Sequence, residues 1–307
     1  VQFDPSTLAS GLYAIPVNVS DGSNIVSSSI NLLLQSTTPT LTNTDSDGDG
    51  LDDIAEGIAD SDFDYLPDYL DTMTHDNLIS TYTSSLENNY LNALQTEAGL
   101  RLKLGRSAIA AMASGVQISV QDIQQASATP IPADLEYTPV SSLFDFEVHG
   151  LNDIKKTAKI IIPLPLRLPA NAVYRKYTRA TGWANFVSDT DNAVKSSYSN
   201  NGLCPNIMDS TYTVGLQLLA DCIELTISDG GPNDADGLAN GIIVDPGGIA
   251  IPRSTTPDAL TEADLAAQQA RNNAVSAGGS SAFNVIFLCL LVLISLYPVV
   301  RKNAKNH

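Results

Sequence analysis

The first hundred residues of this chain contain no lysine and no arginine. All 307 residues together carry 16 basic against 34 acidic side chains, a formal net charge of -18 at pH 7. Affinity for nucleic acid comes largely from basic side chains that neutralise phosphates. The charge balance therefore excludes nucleic acid as a partner. Crowded acidic side chains also repel one another unless cations lie among them.

Histidine and cysteine are equally scarce, with three of each. This leaves few ligands for zinc and little material for Cys/His catalysis. A Ser-His-Asp triad with His149 is the catalytic alternative, but no G-x-S-x-G nucleophile motif accompanies this histidine. We therefore expect no catalytic site in these residues, and we interpret His149 as a surface residue at the end of a strand.

The longest apolar run lies near the C-terminus. Residues 281–300 are twenty residues without a charge, and as a helix they span roughly 30 Å, the thickness of a bilayer core. Arg301, Lys302 and Lys305 follow directly, which by the positive-inside rule places the end of the chain in the cytoplasm. This predicts a single transmembrane helix with nearly the whole chain exported. The alternative is a buried core helix.

Gly278 and Gly279 lie in a stretch of small residues just before this run. Together with the apolar helix and the basic tail, they resemble the GlyGly-CTERM sorting signal of Gram-negative bacteria. The resemblance implies cleavage near the glycines by a rhomboid-like protease (rhombosortase) after anchoring in the inner membrane. It also implies type II secretion to the cell surface. A plain single-span anchor is the alternative.

Export makes disulfide bonds permissible. Cys204 and Cys222 are the cysteines outside the predicted span, and they flank one loop. We expect them to pair and to contribute about 3 kcal/mol in the chain-entropy model. Cys289, within the span, is interpreted as a small apolar residue.

A run of alternating aspartates begins at Asp45. Residues 45–56 match the calcium-loop pattern D-x-D-x-D-G-x5-E at every defined position. Alternate carboxylates converge on one ion when such a loop curls, and Gly50 permits the sharp turn. The predicted ligands of this first loop are Asp45, Asp47, Asp49, the Leu51 carbonyl, Asp53 and Glu56.

The same spacing recurs fifteen residues later, in residues 60–71. Tyr65 replaces the glycine of the first copy, so the second site is expected to be strained or weaker. Ca²⁺ prefers six to eight oxygen ligands in flexible geometry, whereas Mg²⁺ prefers a tighter octahedron and is the weaker candidate. The predicted ligands of the second loop are Asp60, Asp62, Asp64, the Leu66 carbonyl, Asp68 and Asp71.

The flanks of these loops do not look like the two helices of an EF-hand. The doubled acidic motif instead resembles thrombospondin type 3 repeats, which implies that the chain wraps around calcium with little apolar core. The segment is thus predicted to be a calcium-dependent spacer that is disordered without the ion. A solvated acidic linker is the alternative.

Residues 11–18 and 24–35 are predicted to be two strands joined by a turn at Asp21-Gly22-Ser23. One hairpin cannot hold a core alone. It looks like the last two strands of an immunoglobulin-like or cadherin-like module, so we expect the chain to be a fragment or a processed product.

Residues 92–253 contain short alternating strands separated by turns, typical of a β-sandwich. The glycine-rich stretch 229–248 and the Cys204/Cys222 pair resemble the choice-of-anchor U domain, a family of bacterial surface β domains that implies no particular activity. Asp234, Asp236 and Asn240 are candidates for a third calcium site. The alternative is that they cap turns by bonding their own backbone. The aromatic residues Tyr174, Tyr177 and Trp183 are expected to pack, with sugar binding as the alternative.

The fold class is therefore predicted as mainly β: a β-sandwich preceded by calcium-binding loops and a partial Ig/cadherin-like module, with one C-terminal transmembrane helix. The predicted segments are the end of the Ig/cadherin-like module (1–36), a linker (37–44), the calcium-binding repeats (45–72), a connector (73–91), the β-sandwich (92–253), a stalk (254–280), the transmembrane helix (281–300) and a basic cytoplasmic tail (301–307).

Two functions fit this organisation. The first is a calcium-stabilised, surface-displayed protein with a structural or adhesive role. The second is the C-terminal display region of a secreted hydrolase whose catalytic domain lies upstream. The two hypotheses differ only in what precedes Val1. A membrane receptor fits poorly, because one span with seven cytoplasmic residues transmits little.

Overall fold

The computed structural model describes residues 8–73, 75–81, 93–119, 121–122, 131–153 and 155–253. These all lie in the first of two units, Val1–Thr255, and the second unit, Thr256–His307, lies outside them. The predicted stalk, the glycines Gly278 and Gly279, the apolar run 281–300 and the basic tail therefore also lie outside the described residues. Among the helices that are described, none is long and apolar enough to cross a membrane.

The described chain is mainly β with antiparallel sheets, as predicted. Its α-helices are short, α1 (Asp53–Glu56) and α2 (Arg106–Ala110), and a 3-10 helix covers Asp68–Leu70. The strands are β1 (Gly11–Ser20), β2 (Ile25–Leu34), β3 (Leu78–Ser80), β4 (Ala93–Thr96), β5 (Arg101–Leu104), β6 (Gln117–Ile118), β7 (Tyr137–Pro139), β8 (Leu143–His149), β9 (Thr157–Pro163), β10 (Val173–Thr178), β11 (Gly182–Asn185), β12 (Ala193–Ser197), β13 (Thr213–Val214), β14 (Cys222–Ser228) and β15 (Ile242–Pro252).

The predicted N-terminal hairpin is confirmed. β1 pairs with β2 from Gly11 opposite Leu34 to Ser20 opposite Ile25. The Asp21 carboxylate closes the turn, because its Oδ1 accepts the main-chain N–H groups of the two residues that follow Gly22.

Two antiparallel sheets make up the rest. The seven-stranded sheet has the order β11-β10-β15-β8-β5, with β6 also on β8 and β7 also on β15. The six-stranded sheet has the order β13-β12-β14-β9-β4-β3. β3 lies within the segment predicted to be a connector, and it pairs with β4 at the edge of the second sheet.

Alternate residues of both sheets form one hydrophobic cluster, since successive side chains of a strand point to opposite faces. Phe144, Phe146 and Val148 of β8 and Ile223 and Leu225 of β14 belong to this cluster and are fully buried. The predicted alternation is therefore confirmed at the positions that face the core.

The opposite face of β8 is buried as well. Asp145 and Glu147 alternate with the core residues, and both are buried. The N-terminus of α2 covers Asp145, whose Oδ2 accepts the N–H of Ser107 at 2.6 Å. Asn31 of the hairpin covers Glu147, with its Nδ2 donating to Oε1 at 3.0 Å. The seven-stranded sheet thus has a second buried layer, and this layer is polar.

The predicted disulfide is confirmed. Cys204 is bonded to Cys222, the first residue of β14. Cys222 is buried beside Ile161 and Tyr212 in a small second cluster. The bond therefore ties the loop that precedes β13 to the middle of the six-stranded sheet.

Candidate metal centre

The first acidic loop brings three predicted ligands together. Asp45, Asp47 and Asp49 each offer a carboxylate oxygen within 4.8 Å of the others. Asp47 is fully buried, and its Oδ2 has no hydrogen-bond partner among the described residues. Burial, followed by the nearby charges of Asp49 and Asp45, raises the pKa of Asp47 to about 6. Such an oxygen is costly unless a cation compensates it.

Local backbone bonds explain why this loop curls. The Asp45 carboxylate accepts the N–H of Gly48 at 2.7 Å and that of Gly50 at 3.0 Å. Both glycines have a positive φ, 82° and 101°, a conformation that glycine adopts without steric cost. The carboxylate of Asp49 accepts the N–H of Leu51 at 2.7 Å. These bonds curl the chain around the converging carboxylate oxygens of Asp45, Asp47 and Asp49.

Glu56 follows the first loop at the end of α1. Asp52 caps this short helix by accepting the N–H of Ala55 at 3.1 Å. Oε2 of Glu56 is buried without a hydrogen-bond partner in the described part of the chain. Burial, and then the charges of Asp47 and Asp49, raise the pKa of Glu56 to about 7. The converging group of the first loop consists of Asp45, Asp47 and Asp49, and the role of Glu56 as the last ligand stays a prediction.

The second loop repeats this arrangement more deeply in the protein. Oxygens of Asp60, Asp62 and Asp64 lie within 4.8 Å of one another. Both oxygens of Asp62 and Oδ2 of Asp64 are buried and have no partner in the described ranges. Burial raises the pKa of Asp64 to about 9, with further contributions from the charges of Asp71 and Asp62. The pKa of Asp62 rises to about 6, again mainly through burial.

Asp71 occupies the position equivalent to Glu56. Its pKa is raised to about 7, first by burial and then by the charges of Asp62 and Asp47. Since Asp62 belongs to the second loop and Asp47 to the first, Asp71 interacts with carboxylates of both. Its Oδ1 accepts the N–H of Met73 at 2.8 Å.

Two of the predicted ligands, Asp53 and Asp68, accept hydrogen bonds with both of their carboxylate oxygens. Both oxygens of Asp53 accept hydrogen bonds, from the Thr44 hydroxyl at 2.7 Å and from the N–H and hydroxyl of Ser46 at 2.9 and 3.0 Å. Asp68 accepts the equivalent pair from Ser61, each at 2.8 Å. These carboxylates hold the start of each loop against its end. The spacing of the aspartates did not predict these hydrogen bonds.

The second loop is also docked on the β domain. Leu66 is 1% exposed and belongs to the main hydrophobic cluster, whereas its counterpart Leu51 is exposed. Tyr65 packs against the same cluster, with the Lys103 ammonium 4.4 Å from the centre of its ring. A spacer with little apolar core was expected, and this loop departs from that expectation. Sequence reasoning missed the difference because one leucine among aspartates carries little hydrophobic signal.

The candidate third site has a different geometry. Asp234 accepts the N–H groups of Gly230 and Val244, at 2.9 and 3.0 Å. Asp236 accepts the Asn240 amide at 3.0 Å. Among the described residues, the groups of three converging carboxylates are those of the two acidic loops, and this turn is not one of them. The geometry therefore favours the turn-capping alternative for Asp234, Asp236 and Asn240.

The other candidate residues pack in the sheets. Tyr174 is buried, and the Trp183 indole donates to the Pro132 carbonyl at 2.7 Å while its ring lies 5.5 Å from that of Tyr177. His149 is half-buried, with Nε2 2.8 Å from a Glu147 carboxylate oxygen. These contacts favour packing over sugar binding for the aromatic residues, and they give His149 a structural partner.

No family model, no curated protein and no solved structure matches this chain.

Proposed function

We propose that this chain is a calcium-binding, exported cell-surface protein with a structural or adhesive role. The observation that carries the proposal is the set of buried carboxylate oxygens without hydrogen-bond partners among the described residues. They belong to Glu56 and Asp47 in the first loop and to Asp62 and Asp64 in the second. An ion bound between these oxygens offsets both their desolvation and their mutual repulsion.

The donor chemistry favours Ca²⁺. Both loops offer carboxylate and carbonyl oxygens, and neither 45–56 nor 60–71 contains histidine or cysteine. Hard divalent cations prefer oxygen ligands, and the larger, flexible shell of Ca²⁺ suits a loop that supplies four or more of them. Mg²⁺ keeps several waters and needs a stricter octahedron, so it remains the second choice.

Export to the cell surface is the second part of the proposal. The Cys204–Cys222 disulfide supports it, because such bonds persist in oxidising compartments. Within this proposal, residues 92–253 form a choice-of-anchor U-like β-sandwich, and the hairpin is the end of an Ig- or cadherin-like module. Gly278, Gly279 and the apolar run 281–300 then act as the sorting and anchoring signal.

Isothermal titration of calcium into the metal-stripped full chain in detergent tests the central part of this proposal. We expect saturable binding of at least two ions, and loss of that binding in the double variant Asp47→Asn with Asp62→Asn. Asp191→Asn is the matched control, since this exposed aspartate lies outside the loops. The proposal fails if the wild-type chain shows no binding at millimolar calcium, or if the double variant binds as the wild type does.

A further inference from the structure

Residues 60–73 and 75–76, here called the acidic segment, cover the free edge of the seven-stranded sheet. β5 is the last strand in that sheet's order, next to β8. The Leu102 N–H donates to the Asp76 carbonyl at 2.7 Å, and the Leu104 N–H donates to the Asp64 carbonyl at 2.9 Å. Two alternate N–H groups of an edge strand are thus paired with the acidic segment instead of another strand. An exposed edge strand is otherwise prone to exchange and to pairing with other chains.

One of these acceptors belongs to a predicted metal ligand. The Asp64 residue that accepts from Leu104 also carries the buried, unpartnered carboxylate oxygen of the second loop. Asp62, two residues earlier, has two such oxygens within the described residues. An ion at these oxygens would therefore fix the backbone that covers β5.

Side chains extend the connection across the sheet. Tyr65 follows Asp64 directly, and the Lys103 ammonium of β5 lies over its ring. Glu147 on the neighbouring strand accepts the amide of Asn31 from the hairpin. The second loop, the edge strand and the hairpin thus meet on the polar layer of the seven-stranded sheet.

Removing the ion would leave buried and half-buried carboxyl groups crowded in this loop without a compensating cation: Asp60, Asp62, Asp64 and Asp71. Opening the loop lowers the free energy of these carboxylates, because exposed carboxylates are hydrated again. Opening withdraws Leu66 from the hydrophobic cluster and uncovers the N–H group of Leu104, whose acceptor lies in the loop.

We propose that an ion in the second acidic loop controls the order of the seven-stranded sheet, by holding the acidic segment over the edge strand β5. This inference rests on the proposed calcium binding and deepens it. The first loop stabilises its own turn, whereas the second regulates the β domain. Calcium in this protein is then a switch for the exposure of a sheet edge.

Hydrogen exchange of the full chain in detergent tests the switch. At a calcium concentration about a hundredfold above the dissociation constant, the ion stabilises the closed loop about a hundredfold by mass action. Exchange of the Leu104 N–H should then be about a hundredfold slower than in metal-stripped protein. Asp62→Asn should remove this protection because it removes a predicted ligand of the ion. The substitution breaks no side-chain hydrogen bond within the described residues, since neither carboxylate oxygen of Asp62 has a partner there. Asp191→Asn, which makes the same charge change at an exposed aspartate outside both loops, should keep it.

A second readout comes from Trp183, the one tryptophan of the chain, on β11 at the opposite edge of this sheet. The midpoint of its fluorescence change in thermal unfolding should rise with calcium in the wild type and in Asp191→Asn, but not in Asp62→Asn. The inference is overturned if titration shows ion binding while β5 exchange and the Trp183 midpoint stay unchanged. Absence of ion binding in the titration would instead overturn the proposed function.

Discussion

Phe63 in the second loop has the same left-handed backbone as Gly48 in the first, with φ of 62° and 82°. Tyr65 and Gly50 form a second such pair, at 76° and 101°. This conformation costs roughly 1–2 kcal/mol for a residue with a side chain. It persists in the second loop because Asp60 accepts the N–H groups of Tyr65 and the residue before it, both at 3.0 Å. The predicted strain at Tyr65 is therefore present in the backbone.

Replacing Phe63 with glycine should relieve part of this strain. The Phe63 side chain is 63% exposed, so little packing is lost. We expect Phe63→Gly to raise the free energy of unfolding by about 0.5–1 kcal/mol, after allowing for the extra entropy of glycine in the unfolded chain. Urea unfolding measures the change. Phe63→Ala keeps the strain and should give no gain, and an equal gain in both variants would contradict the explanation.

The acidic loops should make the metal-free protein less stable as the pH rises. Asp64 has a pKa of about 9, and Glu56 and Asp71 have pKa values of about 7, all above the ordinary carboxylate value. The folded state therefore holds protons that the unfolded state releases from about pH 4 upward. The stabilisation is complete below that pH and is lost as the pH rises through 7 to 9. Thermal midpoints of metal-stripped protein between pH 5 and 9 measure the decline.

Calcium should reverse this trend, because it replaces the protons on its ligands. The difference between the calcium-loaded and metal-stripped midpoints is expected to grow from pH 5 to pH 9. Glu56→Gln with Asp71→Asn should flatten the decline in metal-stripped protein. A metal-stripped wild type that gains stability across this range would refute the assignment of these protons to the loops.

The buried pair Lys176–Asp245 should be costly to break on one side only. Both side chains are almost fully buried, and burial lowers the pKa of Lys176. Lys176→Met leaves the Asp245 carboxylate unpaired, and we expect a loss of about 3–5 kcal/mol in the free energy of unfolding. Lys176→Met with Asp245→Leu should recover most of it. Urea unfolding followed by Trp183 fluorescence measures both, and similar losses in the single and double variants would contradict this account.

Loss of the disulfide should destabilise the six-stranded sheet. Cys204→Ala with Cys222→Ala frees a loop of 18-residue separation, and the chain-entropy model predicts a loss of about 3 kcal/mol. Differential scanning calorimetry under oxidising and reducing conditions measures it. Reductant should lower the thermal midpoint of the wild type and leave the midpoint of the variant unchanged. A wild-type midpoint that reductant leaves unchanged would show that the bond adds little.

Much of the candidate site was predictable because its bonds are local. Asp45, Asp47 and Asp49 converge through turns that span five residues or fewer, and the fifteen-residue repeat carried the same reasoning to the second loop. Asp53 and Asp68, also predicted as ligands, accept hydrogen bonds that the spacing did not predict. Each reaches back seven residues to a serine, and a spacing pattern does not say which way a carboxylate turns.

The polar layer on the seven-stranded sheet was not predictable. Asp145 and Glu147 alternate with core residues, as polar residues do in any strand that has one buried and one solvent-exposed face. They are buried because the hairpin and α2 cover that face, with Asn31 reaching Glu147 over 116 residues of sequence. The strand β3 was missed for a related reason, since three residues with one long-range partner carry almost no periodicity.

The sequence by itself determined the features that depend on neighbours along the chain: the hairpin, the alternation of core residues and the two curled acidic loops. Tertiary structure alone decided that the loops have different surroundings. Leu51 is exposed and Leu66 is buried, although both hold the same place in the repeat. The second loop lies against β5, where the Leu104 N–H donates to the Asp64 carbonyl. Such a contact is set by packing between distant segments, which no local spacing encodes.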